Sequence, residues 1–100
     1  RALLPERALA GDEEARETLV DTVYQPLAEA GTPLLDTVGA YLDLGASLEA
    51  TARALYLHPN TVRYRLRKVA DVCSLDPTNH RDGFLLHVAL ILGRLAPAPR

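Results

Sequence analysis

The stretch SLEATARALYLHPNTVRYRLRK, Ser47 to Lys68, decides the fold. Its first half reads as a short helix. Ser47 supplies a capping hydroxyl and Glu49 an acid in the first turn, where the helix dipole favours it. Leu48, Ala52 and Leu55 fall at i, i+4 and i+7, one narrow apolar face. The helix has room for about two turns, because Leu57-His58-Pro59 interrupts it. A residue before proline is pushed out of the α region, so His58 becomes a cap and Pro59 the first residue of a second helix. That helix spans about 59–72. Val62, Leu66, Val69 and Cys73 recur along it as one buried stripe.

A short helix, a tight turn and a longer helix with a basic outer face make the helix-turn-helix plan. Each special position is filled. Ala52 is small where the helices cross, and Leu57 plugs the gap between them. Val62 stands ten positions after Ala52, with Leu66 one turn further on. One residue departs from the generic plan: Tyr56 stands where glycine is usual. Tyrosine there predicts either a strained left-handed residue or a turn of slightly different shape.

Charge segregates along the chain. Residues 1–49 hold ten acids and three bases, while residues 50–70 hold five bases and no acid. A basic island inside a chain of net charge −2 and pI 5.9 is the footprint of a nucleic-acid contact, with a solvated helix face as the bland alternative.

The 100 residues allow one domain. Leucine and alanine dominate and strand formers are thin, which favours helices. No apolar run approaches a membrane span, no secretory signal opens the chain, and one cysteine permits no internal disulfide. Met is absent and the chain starts at Arg1, which suggests a piece of something longer.

The flanks complete an all-α, five-helix bundle. Residues 1–11 read as a flexible lead-in. A first helix starts at Asp12 and ends or kinks near Gln25, before Pro26. A second starts at Thr32-Pro33, with the threonine as cap, and stops at Gly45. The helix-turn-helix pair follows. The fifth helix, from Asn79 or His80 to Leu95, is apolar nearly all round, which suits a central helix or an oligomer interface. The domain thus spans 12–95, with the motif at 47–72. Residues 96–100 read as a disordered tail.

The plan assigns roles. Base contacts concentrate at the start of the second helix of the motif, so Pro59, Asn60, Arg63 and Tyr64 are the candidate base readers. Arg63 suits guanine and Asn60 adenine. Proline donates no hydrogen bond, so Pro59 would make an apolar contact, for example to a thymine methyl. The alternative for Asn60 is hydrogen bonding at the helix end. Candidate phosphate contacts are Ser47, Thr51, Arg53, His58, Thr61, Arg65, Arg67 and Lys68. Arg65 has the alternative of pairing with an acid such as Glu49, and Ser47 and His58 that of serving as caps. Cys73 belongs to the core. His58, His80 and His87 lack ligand spacing, no catalytic triad or phosphate loop is present, and no cofactor is called for.

The segment TARALYLHPNTVRYRLRKV (Thr51–Val69) resembles the C-terminal helix-turn-helix of the PucR family of bacterial transcription regulators, related to the sugar-diacid regulators. PLLDTVGAYLDLGASLEATARAL (Pro33–Leu55) and LDPTNHRDGFLLHVALILGRL (Leu75–Leu95) resemble the family's neighbouring helices. The resemblance covers about residues 33–95, and HPNTVRYRL is its most specific part. It implies a Fis-like helical bundle. It also implies an N-terminal part, outside this chain, that senses a small effector or mediates control.

The resulting expectation is a non-enzymatic, cytoplasmic, nucleoid-associated domain that binds double-stranded DNA in sequence-specific fashion. One helix in one groove reads few bases, so a homodimer on an inverted repeat is expected, with half-sites about one helical turn apart. The acidic first and second helices are free to dimerise or to touch RNA polymerase. The alternative is a protein-interaction or dimerisation module that keeps the fold without specific DNA binding. The two readings differ in one feature: an interaction module has no need to keep Arg63, Arg65, Arg67 and Lys68 clear of acids.

Overall fold

The computed structural model describes residues 3–95, which form seven α-helical segments. They are α1 (Leu4–Leu9), α2 (Glu13–Leu19), α3 (Gln25–Ala30), α4 (Thr32–Asp43), α5 (Leu48–Leu55), α6 (Pro59–Cys73) and α7 (His80–Leu95). A π turn over Val20–Tyr24 joins α2 to α3, so these two make one rod. Among the described residues the fold is all-α, as the sequence predicts, with one helix more than the five expected.

The extra helix is α1. Residues 4–9 are therefore helix and not a flexible lead-in. Six residues cannot hold a helix alone; tertiary contacts hold this one. Pro5 and Ala8 are buried. The Arg16 guanidinium donates to the Ala8 carbonyl at 2.9 Å. Arg7 pairs with Asp12, and Glu6 takes a bidentate pair of hydrogen bonds from Arg81 of α7. The expected tail at 96–100 lies outside the described residues.

The first long helix does begin at Asp12, whose carboxylate accepts the Ala15 N–H at 3.1 Å. It does not stop at Pro26. Proline removes one N–H and its ring crowds the carbonyl four residues back. The π turn absorbs both: the Gln25 N–H reaches the Val20 carbonyl, one residue further back than in an α-helix. The rod then runs on to Ala30. Gly93 of α7 packs against this turn, where a Cβ would run into the Tyr24 ring.

Helix α4 starts at Gly31 without a side-chain cap, so the expected Thr32 hydroxyl cap is absent. Proline in its first turn and glycine's positive φ suffice to start it. Its end is a Schellman cap on Gly45 (φ 75°): the Gly45 N–H donates to Leu42 and the Ala46 N–H to Tyr41.

The core joins all seven helices. Leu19, Val23 and Leu27 of the rod meet Val38 and Tyr41 of α4, Val62, Leu66 and Val69 of α6, and Leu86 and Leu90 of α7. The predicted stripe of α6 is buried throughout, Cys73 included, whose thiol sits 3.2 Å from the Val69 carbonyl.

Candidate nucleic-acid interface

Helix α5 begins as its sequence requires. The Ser47 hydroxyl accepts the Ala50 N–H at 3.1 Å, and the Ser47 carbonyl takes the Thr51 N–H and hydroxyl. Ala52 is buried against α6, and Leu57 packs on the core as the plug between the helices. The turn keeps its standard shape. Tyr56 is left-handed (φ 57°, ψ 44°), its N–H donating to Arg53 and the Leu57 N–H to Ala52. Of the two shapes open for the turn, the strained left-handed residue is the one found.

Helix α6 starts as predicted. His58 is extended (φ −67°, ψ 142°), and its Nδ1 accepts the Asn60 N–H at 3.0 Å. The fifteen residues of α6 give a rod of about 22 Å, long enough to lie along a major groove. Its outer face is a continuous set of exposed side chains. Asn60, Arg63, Tyr64, Arg67 and Lys68 all lie there, with His58 before them and Arg53 exposed on α5. Pro59 and Thr61 are half-buried beside them.

Two contacts order that face. The Asn60 amide oxygen accepts from the Arg63 guanidinium at 2.7 Å, a turn further on. The Lys68 ammonium lies 6.0 Å from the centre of the Tyr64 ring. Neither neutralises a charge. Among the described residues the ion pairs are Arg7–Asp12, Arg81–Glu6, His87–Asp43 and Arg94–Asp43. None involves a cation of α5 or α6.

Two sequence assignments change. Thr51 is fully buried and its hydroxyl is bonded to the Ser47 carbonyl at 2.7 Å, so it reaches no phosphate. It faces inward because it stands three residues after Leu48 and four before Leu55, on the apolar stripe of α5. Arg65 is half-buried and donates to the hydroxyl of Thr37, on α4, at 3.3 Å. Its acid alternative, Glu49, is not its partner. Arg65 therefore ties α6 to α4. Thr37 escaped the sequence reading because it is polar, yet it falls three residues after Leu34 and four before Tyr41, inside the buried stripe.

One flank of α6 opens into a groove of about 800 Å³ that the sequence did not reveal. Arg63, Arg67 and Ala70 of α6 line it, together with Tyr41, Leu48, Asp76 and Thr78. Burial, then the charge of Asp76, pushes the Tyr41 phenol up. No group of three or more His, Cys, Asp or Glu that could hold a metal occurs among the described residues. No helix among them is long and apolar enough to cross a membrane.

Comparison with known proteins places this arrangement. Residues 34–92 match the model of the PucR C-terminal helix-turn-helix domain. An uncharacterized protein of Mycobacterium tuberculosis is 53% identical over 95% of the chain, which covers 23% of that relative. The carbohydrate diacid regulator of Escherichia coli is 36% identical over 85% of the chain and 22% of its own length. The crystal structure of a regulator of polyketide synthase expression from Bifidobacterium adolescentis superposes with a TM-score of 0.86 at 49% identity, over 93% of this chain and 39% of that one. The chain thus spans about a quarter of the length of the curated relatives it matches. A helix-turn-helix with an unneutralised basic face, on a fold shared with transcription regulators, has a DNA-binding regulatory role, and the chain belongs to the PucR family as its C-terminal helix-turn-helix domain.

Proposed function

We propose that the chain reads a specific duplex sequence, with α6 in the major groove, and that two copies bind an inverted repeat. The observation that carries this is the absence, among the described residues, of any carboxylate within 4.0 Å of Arg53, Arg63, Arg67 or Lys68, in a chain of thirteen acids. A cation already paired would have to shed its partner before binding a phosphate. These four need not.

Arg63 is the principal base reader. Its guanidinium has five donors in a fixed fork, suited to O6 and N7 of guanine. Asn60 holds that fork in place and keeps its own amide donors for an adjacent base acceptor. Pro59 and Tyr64 flank the pair as apolar contacts. Arg53, His58, Arg67 and Lys68 bind phosphates, with the Ser47 and Thr61 hydroxyls beside them; such contacts set position and most of the affinity. The whole protein is a cytoplasmic regulator whose remaining part binds a small effector, and the acidic α2–α3 rod and α4 face the second copy or RNA polymerase. It performs no chemistry on DNA.

The test is selection of random duplex DNA by the purified chain, followed by affinity measurements at two salt concentrations. The expected result is an enriched inverted repeat whose affinity falls steeply with salt, by a factor of ten or more for a fourfold rise. A chain fused to a dimerising coiled coil that still enriches nothing over nonspecific binding overturns the reading in favour of the interaction module.

A further inference from the structure

We infer that Tyr56, in the turn between α5 and α6, is a DNA-backbone contact: its phenol hydroxyl donates to a phosphate oxygen beside the groove that α6 enters. This rests on the DNA-binding reading above. The first observation is conformational. Tyr56 sits at φ 57° and ψ 44°, a left-handed geometry that is unfavourable for a residue with a Cβ and natural for glycine. The cap itself does not need tyrosine. Both of its hydrogen bonds are made by backbone N–H groups, from Tyr56 to Arg53 and from Leu57 to Ala52. Gly45 closes α4 with the same pair of bonds and a glycine at the position that Tyr56 fills here, the left-handed Ala46 (φ 62°) following it.

The second observation is that the side chain returns nothing to the fold. Tyr56 is 94% exposed, the most exposed of the large apolar side chains among the described residues. Its hydroxyl makes no hydrogen bond and its ring no cation or aromatic contact among them. An aromatic ring held in water, in a strained backbone, has no packing rationale.

The third observation is position. Tyr56 shares one shallow recess with Arg53, on the exposed side of α5, and with Pro59, the first residue of α6. The start of a recognition helix is the part that meets base edges, and the phosphates that border the groove pass next to it. A phosphate there meets a cation in Arg53, set against the Glu49 carboxylate that lines the same recess. The phenol adds a neutral donor that tips the balance toward the phosphate.

The assignment predicts an unusual combination of effects. Tyr56→Phe and Tyr56→Gly are compared with the unsubstituted chain in thermal melts and in binding to the selected duplex and a scrambled duplex, at two salt concentrations. Tyr56→Phe should melt unchanged and bind both duplexes about tenfold more weakly. The salt slope should stay the same, because no charge is lost. Tyr56→Gly should bind at least as weakly yet melt about 2–5 °C higher, relief of the left-handed strain outweighing glycine's entropy cost. Equal binding by Tyr56→Phe and the unsubstituted chain overturns the inference. So does a loss confined to the selected duplex, which makes Tyr56 a base reader, or a lower melting point for Tyr56→Gly, which gives the ring a structural role. If the unsubstituted chain binds neither duplex even when fused to the dimerising coiled coil, the DNA-binding reading itself falls; if it binds and Tyr56→Phe binds equally, only the assignment of Tyr56 does.

Discussion

Arg7, Arg81 and Arg94 each lie within 4.0 Å of a carboxylate, and Arg16 donates to a backbone carbonyl. The cations of α5 and α6 are handled differently. Arg63 donates to an amide oxygen, Arg65 to a hydroxyl, and Lys68 lies over a tyrosine ring. The body of the molecule uses its arginines to tie helices together, over short spans for Arg7–Asp12 and Arg16–Ala8 and over long ones for Arg94–Asp43 and Glu6–Arg81, the last spanning 75 residues. The helix-turn-helix orients its cations without neutralising them. The one acid on the outer face of α6, Asp71, stands at its C-terminal end, beyond Lys68 and away from the turn where bases are read. The contrast teaches that a cation's partner, more than its exposure, separates a structural arginine from one kept for an anion.

That comparison breaks if the two classes respond alike. Arg63→Ala should lower affinity for the selected duplex by about 10–100-fold and relax the preference at one G·C pair, while Arg81→Ala leaves affinity unchanged. Competition binding against single-base variants of the site measures both. Equal losses would mean that long-range charge, and no particular contact, sets the affinity.

The two Schellman caps that flank α5 sharpen the same contrast between fold and function. A Cβ at Gly45 would meet nothing within 4 Å, so a substitution there reports backbone strain alone. Gly45→Val should cost about 2 kcal/mol, a fall in Tm of about 10 °C, with unchanged affinity per folded molecule. Ser47→Ala removes the cap of α5 and should cost about 1 kcal/mol, or about 5 °C. Its affinity, corrected for the folded fraction, decides whether the Ser47 hydroxyl also serves a phosphate. An unchanged value restricts Ser47 to capping.

The legibility of the sequence follows the same division. The Ser47 and His58 caps, the Ala52 crossing, the Leu57 plug and the stripe of α6 were all readable, because each depends on residue type at a fixed local spacing. Helix α1 was not, because it is held by Arg16 and Arg81, from 8 to 75 residues away. Pro26 left two outcomes open, an end or a kink; a π turn just upstream supplied the extra residue that lets the helix pass the proline, so it does not end there. At the interface, exposed cations were legible as a charge run. The inward turn of Thr51 follows the local spacing from Leu48 to Leu55 and was passed over because threonine is polar; the reach of Arg65 to Thr37 depends on how α4 packs against α6, which no local pattern encodes.

The smallest expected effect tests the body side of the comparison. The Arg81 guanidinium, chiefly through its hydrogen bonds, holds the Glu6 carboxyl below its ordinary value of 4.5. A depressed folded pKa means that the pair's contribution is fully present above the unfolded value and is lost as pH falls through the folded one. Both partners are solvent-exposed, so the contribution is small and screened by salt. Glu6→Gln should therefore melt slightly below the unsubstituted chain at neutral pH and low salt. The gap should narrow below pH 4.5 and close once Glu6 is protonated. A gap that persists in strong acid would show that the side chain's packing, and not its charge, ties α1 to α7. Arg67→Gln gives the control from the other class. Arg67 has no carboxylate within 4.0 Å, and on its own face Arg63 stands one turn before it and Asp71 one turn after, so the repulsion and the attraction that its removal cancels nearly offset. Its Tm at low salt should hold while DNA affinity falls. One variant with an effect in the melt alone, and one with an effect on DNA alone, is what two separate uses of arginine require.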